Sequence, residues 1–151
     1  MSYTLSARSR SRLVGVHPEL VRVVELAIRL TTVDFVVTAG NRTKEEQAAL
    51  YAQGRTKPGP VVTWTLNSNH IGGRAVDVVP FVNGAVEWDN NGKLGLWPRI
   101  AEAFESAAKE LGVPLVWGGR WAKPDRPHFE LRRGWEPEAK RDLNYLRNTA
   151  V

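Results

Sequence analysis

The chain has 151 residues, of which 42% are hydrophobic and 25% are charged, with a formal net charge of +5. This length supports one hydrophobic core, so residues 1–151 are expected to form a single domain without a second folded unit. No stretch approaches the ~20 apolar residues of a membrane-spanning helix, so no membrane insertion is expected. Because the sequence has no cysteine, a bound metal would need His, Asp or Glu ligands.

The basic balance of the chain favours polyanionic partners, which include nucleic acid, anionic lipid and acidic wall polymers. Zinc-finger spacing and an aromatic-rich RNA-binding signature are both missing, so no nucleic-acid partner is expected. The N-terminal sequence MSYTLSARSRSRL lacks the continuous apolar segment of a secretory signal. We therefore expect the chain to accumulate in the cytosol of the cell that makes it.

The first half of the chain predicts two helices separated by a strand. Apolar residues recur at helical spacing over Pro18–Leu30, which is expected to be the first helix of the chain. The apolar, β-branched segment Asp34–Ala39 predicts a buried strand. A second helix is expected to begin at Thr43, which can form a capping box with Glu46, and to end at Gly54.

The second half begins with a long loop, Arg55–Asn69, of a kind that is usually functional in a small domain. The elements expected after it are a strand over Ala75–Val79, a hairpin around Asn83-Gly84, a helix over Trp97–Leu111, strands over Pro114–Trp117 and His128–Leu131, and a terminal helix over Glu138–Asn148. These elements predict an α+β fold with a small antiparallel sheet and flanking helices.

Two of the three histidines, His70 and His128, lie in segments rich in polar groups. Asp77 follows His70 by seven residues and falls within an apolar strand, where an ionised carboxylate needs a partner. One interpretation is an ion pair with Arg74 or Arg42, and another is a metal. The third histidine, His17, precedes a proline and is interpreted as a helix-entry residue.

A second carboxylate, Asp125, stands three residues before His128. Two histidines and one aspartate form a three-ligand zinc site, and catalytic zinc sites keep their fourth position for a water whose pKa falls to ~7. A carboxylate outside the ligand set can then carry the proton. Glu130 is an alternative proton carrier, ranked below Asp125.

The pattern Ser68-x-His70, with Asp77 seven residues on and Asp125-x-x-His128 later, resembles the zinc DD- and LD-peptidases related to VanX and VanY, which share the hedgehog-type fold. Within that group the chain looks most like the phage endolysins that cleave between L-alanine and D-glutamate. The resemblance covers roughly residues 14–131. It rests on VHPELVRVV, GNRTKEEQAALYAQGRTKPG, SNHIGGRAVDVVPFVNGAVEWD, AKELGVPLVWGG and DRPHFEL, which occur in the family's order.

The resemblance implies one zinc ion and a role for each site residue. The implied ligands are His70, Asp77 and His128, and Asp125 takes the place of the catalytic acid/base. Arg42 matches the arginine thought to stabilise the oxyanion, a role that suits a fixed guanidinium. Gln47 and Ser68 match positions that line the substrate site.

Two positions depart from the family pattern. Arg120 stands where the family has an aspartate in a Trp-Gly-Gly-Asp-Trp run, and Arg74 follows Gly73 where histidine or aspartate is common. Neither residue is an implied ligand, so the expected effect is on substrate preference.

The function expected from the resemblance is that of an endolysin-type zinc peptidase. It would hydrolyse peptidoglycan stem peptides at the L-alanyl-D-glutamate bond, and it would act as a monomer released from the host cytosol at lysis. One alternative is a D-alanyl-D-alanine carboxypeptidase or dipeptidase. Another, from a different class, is a non-catalytic wall-binding module, although that interpretation predicts loss of the acid/base, and Asp125 is present.

Overall fold

The structure is a computed structural model that describes residues 2–63 and 65–137. Its helices are α1 (Ala7–Arg12), α2 (Pro18–Leu30), α3 (Lys44–Ala52) and α4 (Leu96–Leu111). Its strands are β1 (Phe35–Ala39), β2 (Ala75–Val82), β3 (Ala85–Val86), β4 (Leu115–Trp117) and β5 (His128–Leu131). The helix predicted over Glu138–Asn148 lies outside the described residues.

The strands form one five-stranded sheet in the order β1-β2-β5-β4, with β3 paired to β2 in the hairpin predicted at Asn83-Gly84. Every pairing is antiparallel. In the middle of the sheet, Asp77 of β2 lies directly opposite His128 of β5. The predicted α+β class with a small antiparallel sheet is confirmed.

The two faces of the sheet have different chemistry because successive side chains of a strand point to opposite faces. On β5, Phe129 and Leu131 enter the hydrophobic core, whereas His128 and Glu130 lie on the other face and line a cleft. The apolar face packs against α4, where the Phe104 ring stacks on Phe129 with ring centroids 4.0 Å apart. One strand therefore supplies both the core and the polar face.

Helices α2 and α4 pack against each other and close the core. The predicted capping box of Thr43 and Glu46 forms at the start of α3. His17 lies at the entry to α2 as expected, and there its imidazole accepts a hydrogen bond from the Glu19 N–H. Among the described residues, no helix is long and apolar enough to cross a membrane.

The prediction that Pro18–Leu30 is the first helix was wrong, because the six-residue helix α1 precedes it. The sequence ARSRSR has no apolar periodicity, so tertiary contacts must hold this helix. The Ser9 hydroxyl accepts a hydrogen bond from the Val37 N–H, and Arg12 donates to the Val37 carbonyl oxygen, at 2.9 Å each. Helix α1 thus depends on strand β1, which no local pattern shows.

Truncating Phe104 should destabilise the fold more than any surface change, because its ring is fully buried between Phe35 and Phe129. Phe104→Ala is expected to lower the free energy of unfolding by ~3–5 kcal/mol, the usual result of removing a buried aromatic ring. Urea denaturation followed by circular dichroism measures this change. The control Leu94→Ala, at an exposed position, should change stability by less than ~0.5 kcal/mol.

Candidate metal centre

Asp77 and His128 come together because antiparallel pairing sets their two strands in register. Directly opposite residues on one face of a sheet lie close enough for their side chains to touch. The Asp77 Oδ1 atom lies 3.3 Å from His128 Nδ1. His128 is almost completely buried, whereas a quarter of the Asp77 side chain remains exposed towards the cleft.

His70 reaches the same carboxylate from a tight turn before β2. Hydrogen bonds from the N–H groups of Ile71 and Gly73, to Ser68 and His70 respectively, form this turn, and the His70 carbonyl accepts a further bond from the Arg42 N–H. Gly73 has φ +75°, and a Cβ there would lie 2.2 Å from the Gly15 carbonyl oxygen. The turn brings His70 Nε2 to 3.1 Å from Asp77 Oδ1.

Hydrogen bonds outside this group orient both imidazole rings. His70 Nδ1 lies 2.8 Å from the Gly40 carbonyl oxygen, so it donates to that oxygen and leaves Nε2 as the acceptor nitrogen. His128 Nε2 lies 2.8 Å from Glu130 Oε1, so it donates to that carboxylate and leaves Nδ1 facing Asp77. Partners of this kind fix the tautomer of metal-binding histidines.

The three potential ligand atoms of His70, Asp77 and His128 lie within 4.8 Å of one another. Two imidazole nitrogens and one carboxylate oxygen, directed at a common point from fixed rings, suit a divalent transition metal with an open coordination position. The alternative ion pairs of Asp77 do not form in the described chain, since Arg42 donates to Gln47 and Arg74 pairs with Glu136. The structure thus brings together the three predicted ligands.

Asp77 and His128 are buried and hydrogen-bonded to each other, and this shifts the pKa of both groups. Burial by itself would raise the pKa of Asp77, but hydrogen bonds with His128 and His70 outweigh it and hold the pKa well below its ordinary value. Burial would also lower the pKa of His128, but hydrogen bonds with Asp77 and Glu130 raise it to about 9. A metal must therefore displace a firmly held proton from His128.

Asp125 stands beside the group and does not belong to it. One of its carboxylate oxygens lies 4.0 Å from His128 Nδ1, and half of its side chain is exposed. Burial and then the negative charge of Asp77 raise its pKa. Its N–H donates to the Gly118 carbonyl oxygen at 2.9 Å, and a Cβ on Gly118 would lie 2.6 Å from the Asp125 carbonyl oxygen. The Trp-Gly-Gly run therefore holds Asp125 in place.

Of the other predicted site residues, two line the cleft and one is buried behind it. Arg42 and Ser68 line the cleft. Gln47 is completely buried; its amide oxygen accepts a hydrogen bond from Arg42 Nη1 at 2.7 Å, and its amide nitrogen donates to the Thr65 carbonyl oxygen at 2.6 Å. Gln47 therefore orients Arg42 from behind and has no surface that a substrate could touch.

Glu130 has a part in the site that the sequence analysis missed. It is almost completely buried, and its two carboxylate oxygens accept hydrogen bonds from His128 and from Asn69 Nδ2, each at 2.8 Å. A carboxylate occupied in this way supports the His128 ring and is poorly placed to carry protons. The signal was available, because residues two apart in a strand share a face, so Glu130 had to lie beside His128.

The cleft has a volume of about 360 Å³, and a second hollow of about 600 Å³ opens from it. The residues that line both are Val62, Thr63, Thr65, Trp121 and Asp125. Much of this shared wall belongs to the long loop between α3 and β2, which was predicted to be functional. An extended ligand can therefore lie across the metal group and continue past Asp125.

The two departures from the family pattern have local explanations. The guanidinium of Arg120 binds both carboxylate oxygens of Glu105, on helix α4, at 2.8 and 3.1 Å. The guanidinium of Arg74 binds Glu136 at 3.2 Å and the Trp135 carbonyl oxygen at 2.7 Å. Neither residue lines the cleft, so the structure gives no support to the expectation that they alter substrate preference.

A His-Asp-His group in a cleft on an open antiparallel sheet, next to a further carboxylate, is the arrangement expected of a single-metal hydrolase. A sequence profile of the phage L-alanyl-D-glutamate peptidase family matches residues 1–139. The chain belongs to that family.

Three relatives agree with this result. The chain is 34% identical over 134 residues to the L-alanyl-D-glutamate peptidase of Escherichia phage T5, covering 89% of this chain and 93% of that protein. It is 38% identical over 109 residues to the peptidoglycan L-alanyl-D-glutamate endopeptidase CwlK of Bacillus subtilis (strain 168), covering 66% of this chain and 61% of CwlK. The crystal structure of the Serratia marcescens L-Ala D-Glu endopeptidase ChiX matches with a TM-score of 0.73 and 39% identity, covering 87% of this chain and 91% of that one.

The predicted family and enzyme class are confirmed by these matches. The predicted roles of His70, Asp77, His128, Asp125 and Arg42 agree with where the structure places these residues. Those individual roles stay predictions.

Metal affinity should depend on pH because binding expels the proton from His128, whose pKa is about 9. The sign follows from mass action: protons compete with the metal below this pKa, so affinity rises with pH. Raising the pH from 7 to 9 should strengthen the apparent affinity for zinc by about tenfold per unit, measured by competition with a chromophoric chelator. Glu130→Gln, which removes one carboxylate from His128, should flatten this dependence. Equal affinity of the unmodified protein at both pH values would contradict it.

Proposed function

We propose that this chain is a zinc-dependent peptidase that hydrolyses the L-alanyl-D-glutamate bond of peptidoglycan stem peptides. The observation that carries the proposal is the convergence of His70, Asp77 and His128 on one point, with Asp125 beside them in the same cleft. Membership of the phage L-alanyl-D-glutamate peptidase family indicates the reaction class. Two imidazole nitrogens and one carboxylate oxygen are ligands that zinc accepts.

The residues present fit zinc in three respects. The donors are nitrogen and oxygen atoms, which zinc accepts in catalytic sites with three protein ligands. Both histidine rings are held by outer hydrogen bonds, to the Gly40 carbonyl oxygen and to Glu130. The exposed edge of Asp77 faces the cleft, so a ligand can approach. When bound, zinc would supply a Lewis acid and a water acidic enough to act near neutral pH.

Arg42 and Asp125 would act on the two ends of the scissile amide. Negative charge develops on the carbonyl oxygen, and the Arg42 guanidinium, held by Gln47, is pre-positioned to stabilise it. The leaving amine needs a proton, and Asp125 is a partly exposed carboxylate whose raised pKa suits a proton carrier. Ser68 lines the same cleft, where its hydroxyl would contact the substrate.

We further propose that residues 1–151 act as a monomeric catalytic domain. The net charge of +5 would then attract the chain to an acidic cell wall. In this view the protein is made in the host cytosol and reaches peptidoglycan when the host lyses, as expected of an endolysin.

Metal removal tests the central proposal. The purified protein is incubated with muropeptides before and after treatment with a chelator, and again after one equivalent of zinc is restored. We expect activity to be lost and then recovered, with mass spectrometry showing a new N-terminal D-glutamyl residue in the product. Release of free D-alanine would point to the alternative carboxypeptidase, and cleavage that survives complete metal removal would overturn the proposal.

Replacing Asp125 by asparagine separates a proton carrier from a metal ligand. Asp125→Asn keeps the shape of the side chain but cannot accept a proton, so kcat should fall by ~10²-fold or more while zinc stays bound. Zinc content by atomic absorption and kcat on a soluble muropeptide measure the two effects. The control Glu102→Gln, an exposed carboxylate on α4, should leave both unchanged. Loss of zinc from Asp125→Asn would place this residue among the ligands instead.

A further inference from the structure

The proposed substrate brings a negative charge next to the bond that is cut. The amino group of its D-glutamyl residue forms the scissile amide, and one of its two carboxyl groups continues the peptide. The second carboxyl group is free and ionised near neutral pH. The cleft must receive this carboxylate, an inference that rests on the proposed function.

The wall of the cleft is unfavourable for such a group unless a cation offsets it. In the part of the chain that the structure describes, three carboxylates line it, those of Asp77, Asp125 and Glu130. Like charges repel each other more strongly at the lower effective dielectric of a protein surface than in water. A metal held by His70, Asp77 and His128 would balance part of this charge, but at the reacting carbonyl group. The substrate carboxylate therefore needs its own positive partner.

Among the described residues, two arginines line the cleft, Arg42 and Arg133. Arg42 is directed by Gln47, with a 2.7 Å hydrogen bond, and has its role at the carbonyl oxygen. Arg133 is held much less firmly: its Nε lies 4.0 Å from Glu130 Oε2, and 67% of its side chain is exposed. That Glu130 oxygen already accepts a hydrogen bond from Asn69 Nδ2 at 2.8 Å. Most of the hydrogen-bonding capacity of Arg133 is therefore directed to solvent at the cleft.

We propose that Arg133 binds the free carboxylate of the D-glutamyl residue and so determines the preference for an acidic residue on the leaving side of the bond. Arg133 follows strand β5 by two residues, and β5 carries His128 and Glu130. The rigid strand thus sets its distance from the metal group. The planar guanidinium matches a carboxylate with two parallel hydrogen bonds, which a lysine cannot reproduce.

The test uses two soluble muropeptides that differ in one group. In the first the D-glutamyl residue keeps its free carboxylate, and in the second that carboxylate is an amide. Removing a hydrogen bond to a charged partner weakens binding, and the loss is smaller when the pair is exposed than when it is shielded. For Arg133→Ala we expect kcat/KM on the carboxylate substrate to fall about tenfold, mainly through KM. On the amide substrate the change should stay within about twofold.

The matched control is Arg132→Ala. Arg132 is the neighbouring exposed arginine and does not line the cleft, so its replacement removes the same net charge without changing the proposed contact. It should leave the ratio of kcat/KM between the two substrates unchanged. Arg133→Lys should retain part of the preference for the carboxylate substrate, because lysine keeps the positive charge but cannot form the two parallel hydrogen bonds of a guanidinium. Zinc content and thermal melting of each variant confirm that the fold and the metal group are intact.

The outcomes separate this inference from the function on which it rests. If the unmodified protein cleaves neither substrate at the L-alanyl-D-glutamate bond, the proposed function fails and this inference fails with it. If the unmodified protein cleaves them, but Arg133→Ala loses activity equally on both or keeps the full preference for the carboxylate, then Arg133 does not bind that group. A preference lost in Arg133→Ala and kept in Arg132→Ala supports the assignment.

Discussion

The antiparallel register between β2 and β5 is the constraint on which the site depends. It places Asp77 opposite His128 and Ala75 opposite Glu130, so one pair of strands supplies two potential ligands and the carboxylate that orients one of them. A shift of one residue in β5 would turn His128 and Glu130 into the core and bring Phe129 to the opposite face. The fully buried Phe129 prevents that shift, because it is stacked between Phe104 and Trp117. Core packing thus holds the metal group in register.

The site is arranged in layers that differ in rigidity. Nearest the proposed metal, Asp77 and the two histidines are held by strands, a tight turn and hydrogen bonds. Behind them, the buried side chains of Gln47 and Glu130 hold Arg42 and His128. At the rim, the exposed residues belong to loops that can vary without disturbing the inner layers. This order suits an enzyme, because catalysis needs fixed geometry whereas substrate preference depends on the rim.

Charge, like rigidity, differs between the cleft and the rest of the surface. The cleft gathers carboxylates in a protein whose net charge is positive, and burial, followed by the negative charge of Asp77, raises the pKa of Asp125. A divalent cation would relieve this concentration of negative charge, which gives the cleft an electrostatic preference for a metal in addition to its geometric fit. The basic side chains elsewhere on the surface have little effect on the negative charge of the cleft, because solvent and salt screen them.

The sequence was enough to predict most of the elements and the candidate site residues, because periodicity, caps and turns are local signals and His70, Asp77, Asp125 and His128 form a spaced pattern. It did not show α1, whose ARSRSR sequence is helical only through contacts of Ser9 and Arg12 with Val37. The tertiary structure was needed to show that Gln47 is buried behind Arg42 and that Arg133 faces the cleft. Each of these facts depends on which distant residues pack together, and the spacing along a chain carries no record of that.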